Sequence, residues 1–107
     1  DHLCGIEGLD FLRITEGSTT NWHLFGILVP ADDRYWILDA LQAEGIMANV
    51  HYTPLHRNSF YSHLGTDKDF PGAVNFFSRL LRLPVYPSLT DAEVMKVIEA
   101  VRKIFMV

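Results

Sequence analysis

The sequence predicts an α/β fold, with a small sheet of about three strands and amphipathic helices packed on it. The segment Trp22–Val29 is largely apolar on both alternating sets of residues, as in a strand that is covered on both faces. A helical pattern then ends at Gly45, and another apolar run begins directly after it. Near the C-terminal end, Thr90–Glu93 has the sequence of a capping box and precedes a pattern with one apolar face. Together these observations indicate one layered domain over residues 1–107.

The first half of the chain predicts the order strand, strand, helix, strand. Residues 9–14 form a short strand in this interpretation, and residues 22–29 form the central one. A helix capped by an aspartate covers residues 32–44, and residues 46–50 return as a strand. If the strands at 22–29 and 46–50 pair directly in one sheet, we expect them to be parallel and their connection to be right-handed.

The second half predicts three further helical segments. Residues 57–64 form a short one, and residues 69–82 form a helix with Pro71 in its first turn. That helix carries two apolar stripes, so most of its circumference is expected to be core. Two prolines keep residues 83–88 extended, and the capping box then starts the closing helix, which reaches Phe105.

Composition limits the possible classes of protein. The chain has 107 residues, of which 49% are hydrophobic, and this suffices for one modest core. A formal charge of −4 and scattered arginines disfavour nucleic-acid binding. The single cysteine, Cys4, fits a reducing compartment, and no apolar run approaches the roughly 20 residues that span a bilayer. We therefore expect a cytoplasmic protein without a membrane partner, and a chain that begins at Asp1 is expected to be a piece of a longer one.

Candidate binding residues occur where the predicted strand at Ile46–Val50 stops. His51 and Tyr52 follow it directly, and Pro54 prevents the strand from continuing to His56. Strand ends that expose polar rings are frequent ligand sites in α/β proteins. Imidazole and phenol groups can hydrogen-bond hydroxyls, carbonyls and phosphates, and their rings can pack against a sugar. The residues alone leave ligand binding and local packing equally open.

Other kinds of chemistry find little support in the sequence. His51 and His56 are five residues apart, with no cysteine or carboxylate near them to complete a metal site. Neither a nucleophile motif nor a glycine-rich phosphate loop is present. Schiff-base chemistry needs a lysine whose amine is uncharged. However, Lys68 lies between two aspartates, and Lys96 and Lys103 lie on the polar face of the last helix. The chain is therefore catalytically incomplete as it stands.

Motifs along the chain from about Leu9 resemble those of one protein family. In order, they are Trp22–Phe25, Gly45–Ile46, Val50–His56, Phe60–Tyr61, Phe70–Pro71 and Leu83–Asp91. The ordered set resembles the C-terminal domain of the DegT/DnrJ/StrS family, which are pyridoxal-phosphate-dependent nucleotide-sugar aminotransferases. Asn49–Tyr52, with Pro54 and His56, is most similar to the branch that aminates 4-keto-6-deoxy sugars, of the pseudaminic acid or perosamine type. Asn58–Ser59 departs from the proline that this branch often carries there.

The resemblance implies a two-domain enzyme of the aspartate-aminotransferase fold type, with this chain as its small C-terminal domain. The large N-terminal domain would hold pyridoxal phosphate and the Schiff-base lysine, so the chain alone is expected to be inactive and to bind no cofactor. The enzyme would be a homodimer that transfers an amino group, from glutamate, to a keto-sugar nucleotide in cell-surface or secondary-metabolite sugar biosynthesis. In that case His51, Tyr52 and His56 would contact the nucleotide-sugar.

Two other interpretations remain open. The chain could be a non-catalytic α/β module that binds or senses a ligand, or it could be an interaction domain. The second predicts exposed apolar side chains, with Trp36, Phe76 and Phe77 as candidates.

Overall fold

The computed structural model describes residues 2–107, which form a three-stranded antiparallel sheet with helices packed against it. The strands stand in the order β1-β2-β3, and Ile27 of β2 lies opposite both Phe11 of β1 and Leu81 of β3. The predicted α/β class and the small sheet are confirmed. The elements are β1 (Asp10–Phe11), β2 (Phe25–Leu28), α1 (Arg34–Ala43), two 3₁₀ turns (Leu55–Arg57 and Ser59–Leu64), α2 (Pro71–Arg79), β3 (Leu80–Leu83) and α3 (Asp91–Ile104).

Strand β3 corrects the helix that was predicted over residues 69–82. Helix α2 ends at Arg79, and β3 follows without a loop. No glycine or proline separates Leu80–Leu83 from the helix, so its apolar composition is compatible with either structure. Tertiary pairing with β2 decides the outcome. The Arg79 guanidinium stabilises this pairing further, because it donates to the Val29 carbonyl at 3.1 Å and to the Asp10 carboxylate at 2.7 Å.

The predicted strand at residues 46–50 is wrong, and so is the parallel pair that depended on it. The segment makes one antiparallel bridge, in which Asn49 and Arg82 exchange backbone hydrogen bonds of 3.0 and 2.8 Å. The Ala48 amide donates to the Ile46 carbonyl at 2.8 Å, which turns the backbone instead of extending it. Ile46 and Ala48 are buried, and this burial explains why a connector has the apolar pattern of a strand.

Two helix ends follow their local sequence signals, whereas the predicted aspartate cap of α1 is not formed, because Asp33 stands at the N-cap without a side-chain capping hydrogen bond. The Thr90 hydroxyl accepts a hydrogen bond from the Glu93 amide at 3.3 Å, and the Glu93 carboxylate accepts one from the Thr90 amide at 2.8 Å, so the capping box is confirmed. Gly45 ends α1 with a φ of 78°, the left-handed conformation expected of a helix stop. At α2, Phe70 precedes the first turn, whereas the Asp69 carboxylate is already occupied by the Thr66 amide at 2.8 Å.

The core lies between the sheet, α1 and α3. Its members are Leu3, Leu9, Ile27, Val29, Ile37, Leu41, Ile46, Ala48, Leu81, Leu83, Val97, Ala100 and Val101. Helix α2 contributes no buried side chain, contrary to the prediction that it is core on most of its circumference. Phe77 is half-buried, and Phe76 is exposed because only one side of this short helix faces the rest of the domain.

Candidate functional site

The predicted binding residues lie on an irregular segment between the Asn49 bridge and α2, which we call the 51–69 loop. It contains the two 3₁₀ turns where the sequence predicts a short helix. Pro54 and His56 are its only buried residues. The loop is therefore fixed to the domain at few points and presents most of its side chains outward.

His51 and Tyr52 lie together at the start of the loop, with ring centroids 4.8 Å apart. His51 is half-buried, and its Nδ1 atom is buried without a hydrogen-bond partner among residues 2–107. Tyr52 is 78% exposed, and none of the hydrogen bonds in this part of the chain involves its hydroxyl. The exposed phenol of Tyr52 can bind a polar ligand directly, whereas the unpaired nitrogen of His51 has no exposed surface in this conformation of the loop.

His56 occupies a different environment from the other two. It is 7% exposed, its ring stacks on Phe70 at a centroid distance of 4.7 Å, and its Nε2 atom lies 2.8 Å from Oδ1 of Asp67. No ring contact or hydrogen bond within residues 2–107 joins it to His51 or Tyr52. His56 therefore lies beneath the loop surface, and its contact with a substrate stays a prediction.

Asp67 also binds Arg57, through two hydrogen bonds that sequence reasoning missed. Arg57 Nε donates to Oδ1 at 2.9 Å, and Arg57 Nη2 donates to Oδ2 at 2.7 Å, which is the bidentate geometry that suits a guanidinium and a carboxylate. We call His56, Arg57 and Asp67 the Asp67 clamp. The sequence does not reveal the clamp, because the cation next to Asp67 in the chain is Lys68. The actual partners, Arg57 and His56, are ten and eleven residues away.

The clamp keeps the Asp67 carboxylate ionised. The hydrogen bonds from Arg57, and then the one from His56, hold the pKa of Asp67 well below its ordinary value of 3.8. A carboxyl whose pKa is lower in the folded than in the unfolded chain stabilises the fold above its unfolded pKa. That stabilisation is lost progressively as the pH falls below about 4.

We therefore expect the free energy of unfolding to fall in acid. In Asp67→Asn this fall with pH should be smaller than in the wild type, because the carboxyl that causes part of it is absent. Urea midpoints measured between neutral pH and pH ~2.5 would show the effect as a shallower pH dependence in the variant. Asp10→Asn is the matched control, because it breaks another Arg–Asp pair, with Arg79, whose contact is also 2.7 Å. If the urea midpoint of Asp67→Asn fell with pH as steeply as that of the wild type, the expectation would be contradicted.

Arg34 is a second arginine near the clamp that sequence reasoning did not identify. Arg34 is 4% exposed, and its Nη1 atom donates to the Phe77 carbonyl at 2.6 Å. Its guanidinium lies 4.5 Å from the centroid of the Tyr35 ring and 4.9 Å from that of Phe77. The Arg57 guanidinium lies 5.8 Å from the same Phe77 ring. Phe77 thus connects the clamp to α1 through two cation–π contacts.

The lysines of the chain do not fit the covalent attachment of pyridoxal phosphate. The cofactor's chemistry needs a lysine amine that is desolvated or otherwise depressed in basicity. Lys68, Lys96 and Lys103 are all exposed, and Lys103 pairs with Glu44 on the surface. Nor do residues 2–107 contain a group of three or more His, Cys, Asp or Glu side chains that could hold a metal ion.

An apolar pocket of the described chain lies elsewhere, between the sheet and α3. It has a volume of about 380 Å³ and is lined mostly by apolar side chains, including Phe11, Phe25, Leu83 and Ile98. None of the three predicted binding residues borders it. None of the helices within residues 2–107 combines the length and the apolarity needed to cross a membrane.

Comparison with known proteins gives one family. Residues 1–102 match the model of the DegT/DnrJ/EryC1/StrS aminotransferase family. Among curated relatives, the spore coat polysaccharide biosynthesis protein SpsC of Bacillus subtilis is 40% identical over 106 residues, which is 92% of this chain and 27% of SpsC. The chain therefore spans about a quarter of the length of this relative.

Solved structures agree with this match. DesV of Streptomyces venezuelae, solved in complex with a ketimine intermediate, superposes with a TM-score of 0.90 at 28% identity, over 97% of this chain and 28% of DesV. The aminotransferase TlmJ of Streptoalloteichus hindustanus superposes with a TM-score of 0.85 at 29% identity, over 95% of this chain and 27% of TlmJ. The fold described above is thus also found within larger aminotransferases.

Proposed function

Because the chain belongs to the DegT/DnrJ/EryC1/StrS aminotransferase family, we propose that it is the small C-terminal domain of a pyridoxal-phosphate-dependent sugar aminotransferase. The enzyme transfers an amino group, from glutamate, to a keto-sugar nucleotide in the synthesis of a cell-surface or secondary-metabolite sugar. The observation that carries the proposal is the match over residues 1–102 in a chain that covers only 27% of SpsC.

In this proposal the chemistry takes place on residues outside the chain. None of the three exposed lysines fits a Schiff-base role, which agrees with a cofactor and a catalytic lysine that both belong to a larger domain. That domain and a second copy of the enzyme are the proposed partners, and the cytoplasm is the proposed location. The cofactor supplies the electron sink for amino transfer, while the protein supplies binding and orientation.

The proposed role of this chain is to bind the substrate along the His51–Tyr52 edge. The free hydroxyl of Tyr52 is suited to sugar hydroxyls or phosphate oxygens, and the half-buried ring of His51 beside it is the second proposed contact. His56 is the third proposed contact, through the small part of its ring that is exposed. A narrower proposal is that the sugar is a 4-keto-6-deoxy sugar, as in pseudaminic acid or perosamine synthesis, and it rests on the sequence of Asn49–His56.

The alternative is a non-catalytic ligand-binding or interaction module. The observation that favours it is the exposure of large aromatic side chains, of which Trp36 is 59% and Phe60 is 78% exposed. In the leading proposal these side chains are covered by the remainder of the enzyme.

Cofactor loading separates the two functions. The 107-residue chain and the longer protein encoded by its gene would each be incubated with pyridoxal phosphate, reduced with borohydride and weighed by mass spectrometry. We expect covalent cofactor only in the longer protein, together with amino transfer from glutamate to a keto-sugar nucleotide. Cofactor fixed to the isolated chain, or a longer protein that neither binds cofactor nor transfers an amino group, would overturn the proposal.

A further inference from the structure

The position of Tyr52 depends on two attachments of the chain, one on each side of it. On the N-terminal side, Asn49 is fixed to Arg82 by the two backbone hydrogen bonds of the bridge. On the C-terminal side, Pro54 and His56 are the next buried residues. Tyr52 and Thr53 are exposed and lie between these attachments, so their location is set by the points where the chain is held.

The second attachment is made chiefly through one carboxylate. Asp67 receives hydrogen bonds from His56 at 2.8 Å and from Arg57 at 2.9 and 2.7 Å. The turn that carries these partners is closed locally by the Arg57 amide, which donates to the Pro54 carbonyl at 2.9 Å. Behind the turn, the cation–π contact between Arg57 and Phe77 connects it to α2. Loss of the Asp67 carboxylate therefore removes the hydrogen bonds of both side chains that hold the turn, and leaves only the contact of His56 with Phe70 and that of Arg57 with Phe77.

We propose that Asp67 is a positioning residue for substrate binding, which acts through His56 and Arg57 to hold the His51–Tyr52 edge in place. This inference rests on the proposed function, because it concerns the same edge. Asp67 is half-exposed and touches neither His51 nor Tyr52 by a hydrogen bond, so its effect on them is indirect. Binding sites need their contact residues held within a fraction of an ångström, and supporting residues of this kind provide that.

The kinetic test uses the longer enzyme and the variants Asp67→Ala and Asp67→Asn. Asp67→Ala is expected to raise KM for the nucleotide-sugar about tenfold, because contact residues that lose their support no longer stand in the binding geometry. The value of kcat and the rate of the glutamate half-reaction should stay at wild-type values. Asp67→Asn retains an acceptor for His56 but loses the charge that binds Arg57. Its KM should therefore lie between that of the wild type and that of Asp67→Ala. Asp10→Ala is the control, because it removes an Arg–Asp pair of equal length on β1.

A merely structural role predicts a different pattern. In that case Asp67→Ala and Asp10→Ala would change stability alone or would alter KM and kcat equally, and either result would overturn the proposal. A fall in kcat or a loss of cofactor with unchanged KM would also overturn it.

A measurement on the 107-residue chain keeps this proposal separate from the proposed function. Nuclear magnetic resonance would follow the Tyr52 amide and the Nε2 proton of His56. Asp67→Ala is expected to shift the Tyr52 amide and to expose the His56 proton to exchange, whereas Asp10→Ala should change neither. If the longer protein proved not to be an aminotransferase but these signals moved as expected, the proposed function would fail and the clamp would stand. Unmoved signals would refute the clamp whatever the enzyme does.

Discussion

Leu81→Ala is expected to destabilise the chain by about 2–5 kcal/mol, as large-to-small core substitutions do. Leu81 has no exposed surface and lies in β3 opposite Ile27, which is also fully buried. Its removal leaves a cavity in the middle of the sheet, where the strand and helix layers meet. Domains of this size are stable by roughly 5–15 kcal/mol, so the variant should show a large fall in urea midpoint or fail to fold.

The same change at an exposed leucine provides the control. Leu55 is 64% exposed on the 51–69 loop, and Leu55→Ala should alter stability by less than about 0.5 kcal/mol. Because Leu81→Ala could prevent folding, Ile27→Val serves as a milder probe of the same contact, with an expected loss of about 0.5–1.5 kcal/mol. Equal effects of Leu81→Ala and Leu55→Ala would mean that β3 is not at the centre of the core.

Comparison of α3 with β3 shows which parts of the fold are readable from sequence. The start of α3 depends on contacts between residues three apart, Thr90 and Glu93, so the sequence contains the whole signal. Strand β3 depends on pairing with β2 more than fifty residues earlier in the chain. Its residues Leu80–Leu83 are equally acceptable in a helix, and no local signal marks the change of structure.

The candidate site divides in the same way. Pro54 indicates that a strand cannot continue past His51 and Tyr52, and the structure has both rings on an irregular segment that follows the Asn49 bridge. The burial of His56 follows from Phe70 and Asp67, which come after it by fourteen and eleven residues across an irregular loop. Loop paths of this kind have no periodic pattern, so the clamp becomes visible only in three dimensions.

Replacement of Tyr52 is expected to have the largest effect on function in the longer enzyme. Tyr52→Phe removes one hydroxyl that makes no hydrogen bond within residues 2–107, so the substitution should leave stability unchanged. A hydrogen bond is worth about 0.5–1.5 kcal/mol net, so its loss to the substrate should raise KM for the nucleotide-sugar by roughly two- to tenfold. Tyr52→Ala also removes the ring that packs beside His51 and should raise KM further, to roughly ten- to a hundredfold.

The pattern among variants identifies the role of this edge. His51→Ala should raise KM as Tyr52→Phe does, because it removes the ring that lies beside Tyr52 and is the second proposed contact. Tyr86→Phe, at a half-exposed tyrosine outside the 51–69 loop, should leave both kinetic constants unchanged. Cofactor content, measured after borohydride reduction, should be equal in all of these variants, because in this proposal the cofactor is held by the larger domain. If Tyr52→Phe or His51→Ala lost the cofactor while KM stayed constant, the edge would belong to the cofactor site, and its assignment to the sugar would be wrong.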